Sequence, residues 1–283
     1  MKASQPSAVL RPVNTVADVL QALPTDRLAG LAVCATRAGL GLVALMLYLT
    51  HYGQRAYLWG PDAVWSWDVF VQGLADGGTF SLLAISPSGV WFEIVFHLAL
   101  VVSLAVTLGV GGRPMLVTHW LLLWSFAQRN PLLLDGGDNL ALIVVPMLLL
   151  TRCFDRLRLF PPLWSVPRLA DHWASTLLHN IGVVAIGAQI CLVYVTSGLY
   201  KVQGEMWQDG TALYYVLRVP EFMWPGVSEH VFTNAFLVTA GSYAATLLLV
   251  MFPALILVDW LRAPVTVSVR RRVSCVTVTT SCR

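Results

Sequence analysis

The sequence predicts an all-α fold, a polytopic transmembrane helical bundle of about six spans, and three observations predict it. Of 283 residues, 57% are apolar and only 12% charged, about half the roughly 25% carried by soluble domains. Mean hydropathy is +0.70, more apolar surface than a soluble core can hide, which excludes a soluble enzyme and bulk disorder. The apolar residues come in long runs rather than in alternation, which sets aside a transmembrane β-barrel.

A crossing needs about 20 apolar residues. The first run is Leu31 to Tyr52, interrupted by Arg37. It is too long for a signal-peptide core and no cleavage site follows, so it reads as an anchored first helix. The second is Val90 to Val110, carrying Glu93 and His97. The third is Pro114 to Ala127 and the fourth Asp138 to Thr151. Both are short, so the polar link between them is expected below the membrane surface, where only protein or a water-filled cavity satisfies its backbone. The fifth is Ile181 to Lys201; the sixth runs from about Asn234 to Leu261, with Pro253 as an expected kink. These runs give three segments: a cytoplasmic N-terminal segment over 1–29, the transmembrane domain over 30–262, and a low-complexity basic tail over 263–283.

Charge sets the orientation. With the N-terminus inside, the inner segments hold Lys2, Arg11, Arg27, Arg113, Arg152, Arg156, Arg158, Arg168, Arg262, Arg270, Arg271, Arg272 and Arg283. The outer loops hold Arg55, Arg129, Lys201 and Arg218. The positive-inside rule then favours both termini in the cytoplasm and a multi-pass protein of the cell membrane. The arginines form no stripe, so nucleic acid is not an expected partner. The five cysteines fall in spans or on the reducing side, and no disulfide is expected. The outer loops are rich in tryptophan, which reads as an interfacial belt, and Asp62 to Leu74 reads as an interfacial amphipathic helix.

Polar residues then gather on the outer side. Glu93 and His97, at i and i+4, share a helix face. Arg129 and Asn130 end the third run; Asp135 and Asp138 open the fourth; Lys201, Trp207 and Asp209 follow the fifth. Buried charge in a bilayer is costly and faces a cavity or a partner. The same residues have plainer readings. Glu93 and His97 can tie helices together, Arg129 can pair with Asp135 or Asp138, Asp138 can cap its helix, and Arg37 can snorkel or pack. Histidine spacing gives no metal site. Lys201 is the sharpest case. It is the only lysine beyond residue 2, and a desolvated lysine, unlike arginine, can lose its proton and act as a base or nucleophile. Its plainer reading is a snorkelling charge at a helix end.

The stretch YVTSGLYKVQGEMWQDGTALYYVL, Tyr194 to Leu217, resembles the most recognisable segment of the HTTM superfamily, which includes the vitamin K-dependent gamma-carboxylase. Tyr194, Ser197, Gly198, Lys201, Val202 and Trp207 carry the likeness. The Arg129–Asn130 pair with Gly136–Asp138 is more similar to the bacterial, SdpB-like branch of that superfamily. The resemblance implies that Lys201 stands where the carboxylase has its base. It also implies that a quinone-like lipid is a conceivable cofactor, and that the protein helps mature or export a secreted antimicrobial peptide whose precursor is a partner beside membrane lipids. The pocket would hold Lys201, Glu93 and His97 as catalytic groups, and Arg129, Asn130, Asp135, Asp138, Trp207 and Asp209 around the substrate. The chain departs from the carboxylase: QRNPLLLDGGD lacks a histidine, and the large lumenal β-rich region is missing, which argues against glutamate carboxylation. A non-catalytic scaffold or immunity partner stays open beside the enzyme. A transporter is a third reading, though no inverted repeat is visible.

Overall fold

The computed structural model describes residues 27–159 and 173–257. The cations at 2, 11, 168, 262, 270–272 and 283, the tail, and most of the N-terminal segment lie outside the described residues, as does the end of the sixth run. Among the described residues every regular element is helical. Four helices are long and apolar enough to cross a membrane: α1 (Gly30–Thr50), α4 (Gly89–Leu108), α7 (Trp173–Gln203) and α11 (Ala235–Leu257). Between α1 and α4 lie two short helices, α2 (Arg55–Trp59) and α3 (Trp67–Asp76). The third and fourth expected crossings form α5 (Gly112–Arg129) and α6 (Gly136–Leu148). These fall short for different reasons. α5 has 18 residues but contains Arg113, His119, Gln128 and Arg129, whereas α6 is apolar but has 13 residues, about 20 Å of rise against a hydrocarbon core of about 30 Å.

The chain divides into two compact units, Met1–Ile186 and Gly187–Arg283, and the division falls within α7. In the first unit α1 lies along α4. The approach is close at Gly41, where an added Cβ would sit 2.7 Å from the Thr107 hydroxyl and 2.8 Å from its amide nitrogen. α4 stops at Gly109, whose φ of 74° is left-handed, with Val110 N–H closing back on Ala105 O at 2.8 Å. This is a glycine C-terminal cap. α6 starts by the opposite device: Asp135 Oδ1 accepts from the N–H groups of Gly137 (2.6 Å) and Asp138 (2.9 Å), and Asp138 Oδ2 accepts from Asp135 N–H (3.2 Å). Such a capping box satisfies amides that the helix start leaves unbonded.

The core of this unit is aromatic at one end. Tyr48, Trp59, Phe96 and Phe126 pack with ring centroids 5.1–6.3 Å apart, mostly in edge and tilted geometries that suit ring quadrupoles. Trp59 is 3% exposed, so it belongs to this core rather than to the belt. Trp224, at 72%, is open.

At the other end Arg37 is fully buried. Its guanidinium donates to the carbonyls of Val106, Thr107 (3.4 Å), Cys153 (3.0 Å) and Leu157 (2.5 Å), with the Phe154 ring 5.1 Å away. Of the two expectations for Arg37, packing holds and snorkelling does not. Two of those carbonyls close the last turn of α4, where a cation meets the negative end of the helix.

In the second unit α7 meets α11. Gly198 leaves room for it: a Cβ there would lie 2.7 Å from Val250 Cγ2 and 3.0 Å from its amide. One turn away Tyr194 stacks on Phe252 at 3.9 Å and 13°. The short helices α8 (Glu205–Gln208), α9 (Ala212–Val216) and α10 (Val227–Phe232) precede α11. Ser242 Oγ accepts from Leu213 N–H (3.1 Å), and Tyr243 donates its hydroxyl to Gln208 O (2.6 Å). Gly198 of the Tyr194–Leu217 stretch therefore has a packing role of its own.

Candidate functional site

The expected outer residues fall into three local arrangements in the first unit and one in the second. Glu93 and His97 share a face of α4, as their spacing predicts. Glu93 takes a two-oxygen contact from Arg55 Nε (3.1 and 3.0 Å), a residue that no local pattern singles out. Arg55 also donates to Tyr52 O at 2.8 Å and lies 4.3 Å over the Tyr52 ring. Its hydrogen bond to the Glu93 carboxylate holds the Arg55 guanidinium above its usual range. His97 Nδ1 donates to the Glu93 carbonyl (2.7 Å), and its Nε2 lies 3.1 Å from the Tyr52 hydroxyl. This group is half-exposed and clamps the loop after α1 onto α4.

Arg129 and Asn130 end α5 and do something else. Arg129 is 2% exposed. Its Nη2 donates to Gly60 O (2.6 Å), Trp65 O (2.9 Å) and Pro61 O (3.3 Å), and the Phe70 ring lies 4.7 Å away. Asn130 Nδ2 donates to Leu58 O at 3.1 Å. Among the described residues Arg129 makes no ion pair, so the expected partnership with Asp135 or Asp138 gives way to backbone carbonyls. The same contacts explain why the interfacial helix expected from Asp62 begins only at Trp67: the carbonyls of 60, 61 and 65 are drawn to one guanidinium and cannot run parallel to a helix axis.

Asp135 and Asp138 form the capping box already described. Asp138 also lines a cavity with Tyr48, Trp59, Phe126, Asn130 and Leu142, of about 440 Å³ including its open mouth. Two buried polar atoms of its lining, the Tyr48 hydroxyl and Asn130 Oδ1, find no hydrogen-bond partner among the described residues, and neither does Arg129 Nη1. An orphaned buried polar atom costs about 1–3 kcal/mol. A phenol donor, an amide acceptor and a carboxylate in an otherwise apolar wall suit an apolar molecule with one polar end. Tyr48 lay hidden in an apolar run, and nothing in the sequence marks its hydroxyl as unpaired. Arg129 itself faces a second cavity of about 490 Å³ with Trp65, Phe70 and Gln128.

Lys201 closes the last full turn of α7 in the second unit. Its side-chain nitrogen lies 4.8 Å from the Trp207 ring centroid, within cation–π range. Among the described residues it makes no ion pair, and Glu205 and Asp209 are exposed beside it. No group of three or more His, Cys, Asp or Glu residues suited to a metal occurs among the described residues.

Comparison with known proteins gives two distant relatives, both from Bacillus subtilis (strain 168). The chain is 26% identical over 136 residues to the sporulation-delaying protein SdpB, covering 47% of this chain and 41% of that protein. It is 24% identical over 170 residues to the uncharacterized protein YitO, covering 54% of this chain and 51% of that protein. The chain thus spans about half the length of the curated relatives it matches. No family model matches it, and no solved structure matches. An SdpB-like relationship is what these findings support.

Proposed function

We propose that this protein serves a toxin-peptide pathway in the cell membrane, assisting maturation or export of a secreted antimicrobial peptide at the outer face. The similarity to the sporulation-delaying protein SdpB carries the reading; four apolar helices of spanning length fit it. In this proposal α5 and α6 complete six crossings with both termini inside, and the chain is of the HTTM type. The working groups, taken unit by unit, are Lys201 with Trp207 and Asp209 in the second, and in the first Glu93 with His97, Asn130 and Asp138 at the cavity, and their chain neighbours Arg129 and Asp135. The precursor peptide and membrane lipid are the partners, and a quinone-like lipid in the apolar cavity is the extension that would make it an enzyme.

One observation favours a second role for Lys201. Its nitrogen lies 4.8 Å from the Trp207 ring centroid, a cation–π geometry that suits gripping a carboxylate of the peptide. Lys201→Arg separates the two, because arginine keeps the charge and the stacking but not the accessible deprotonation. The chain is co-expressed with the secreted peptide precursor encoded nearest to it, and mature peptide in the medium is measured by mass spectrometry. A binding role predicts near-normal output from Lys201→Arg and a fall of more than about tenfold from Lys201→Ala, as expected for a lost charge-assisted contact of about 1.5–3 kcal/mol. Loss in both variants at normal protein level assigns the base role. Normal output from Lys201→Ala removes Lys201 from the site.

A further inference from the structure

At the end of the first unit opposite the aromatic core, Arg27, Arg152 and Arg156 line a recess of about 650 Å³, open mouth included, with Asp155, His179, Gly30 and Leu31. Among the described residues three guanidinium groups and one carboxylate line it. That carboxylate is itself used to place two of them: Asp155 Oδ2 lies 3.0 Å from Arg152 Nε and 3.8 Å from Arg27 Nη1. The walls are fixed by buried polar groups. His179, 1% exposed, accepts the Arg152 N–H on Nδ1 (3.0 Å), so its Nε2 carries the proton and donates to Leu28 O (2.8 Å). Asn180 Oδ1 accepts the Leu28 N–H at 2.9 Å. The turn bearing Arg152 and the segment bearing Arg27 are thereby pinned to one imidazole–amide pair on α7. Leu31, 43% exposed, forms the lip, and above it α1 presents an exposed apolar flank of Leu42, Val43 and Met46.

The geometry points to this recess as a binding site for the phosphate of an anionic lipid, with the headgroup among Arg27, Arg152 and Arg156 and the acyl chains along α1. Arginine is the side chain suited to phosphate oxygens because its planar fork donates two parallel bonds. A basic recess beside a spanning helix, with an apolar lip, matches a phosphodiester attached to hydrocarbon better than a soluble anion, which has no use for the lip. None of its lining residues is among the outer residues discussed above, and the inference stands independently of them.

The test uses the full chain in nanodiscs of phosphatidylcholine alone or mixed with phosphatidylglycerol, and in detergent with inorganic phosphate. Phosphatidylglycerol is expected to raise the thermal midpoint by at least about 3 °C, as ligand linkage predicts, and to remain bound in native mass spectrometry. Arg156→Gln, at an exposed position, is expected to abolish the rise and the retained lipid; Arg158→Gln, exposed but outside the recess, is expected to keep both. Equal midpoints in the two lipid compositions overturn the proposal. So does loss of the effect in Arg158→Gln as fully as in Arg156→Gln, which would mean diffuse surface charge. Stabilisation by inorganic phosphate equal to that by phosphatidylglycerol overturns the lipid assignment.

Discussion

The first unit carries two buried arginines, and their surroundings differ. Arg37 spends every arm of its fork on carbonyls, two from the end of α4 and two from the turn after α6. Arg129 directs one nitrogen to three carbonyls of the 60–65 loop and leaves Nη1 without a partner among the described residues. Both are met by backbone acceptors, which cost less to desolvate than carboxylates, and at Arg129 these stand in for the expected ion pair. A satisfied knot fixes helix ends. An incomplete one, next to two cavities and two more orphaned polar atoms, leaves bonding capacity for a ligand or water.

The widest test of this difference is Arg37→Met. It strands carbonyls from two distant segments and is expected to cost about 3–5 kcal/mol, read as loss of the thermal transition or of folded yield in detergent. Lysine at 37 should recover only part, lacking the fork. Arg129→Met should cost less, about 1–3 kcal/mol, and be felt locally as faster hydrogen exchange over 58–76. Equal losses at the two sites would erase the contrast. The smallest effect concerns Cys153, whose carbonyl serves Arg37. Burial pushes its thiol up to about 11 from an ordinary 9.0, so at pH 8 a maleimide should label half-exposed Cys191 and spare Cys153. An acid whose native pKa is raised keeps its proton after the unfolded chain has lost it. Stability should therefore fall slightly as pH rises from about 9 to about 11. Rapid labelling of Cys153 at pH 8 would show the inner knot to be open.

Legibility in the sequence followed the range of each interaction. The apolar runs that became α1, α4, α7 and α11 were visible because length and hydropathy are local properties. The capping box at Asp135 and Asp138 was half visible, since its partners lie three residues apart. The i, i+4 pair of Glu93 and His97 was visible too. Its partner Arg55, 38 residues away, was counted only as a loop charge. The two arginine knots were invisible for a deeper reason: their acceptors are main-chain carbonyls up to 120 residues distant, and a carbonyl has no sequence signature. Trp59 was placed in a belt because tryptophans near span ends favour the interface. Only the folded loop, tied down by Arg129 and Asn130, turns it inward.

Gly41 stands one helical turn beyond Arg37 on α1, against the residue whose carbonyl Arg37 reaches. It works as a spacer that sets how near two rods may lie, and the fork of Arg37 is cut to that gauge. Because the obstacle at Thr107 includes main chain, trimming that side chain would not restore the fit. A methyl group at 41 would act at a distance, lifting α1 off α4 until the guanidinium no longer reached its carbonyls.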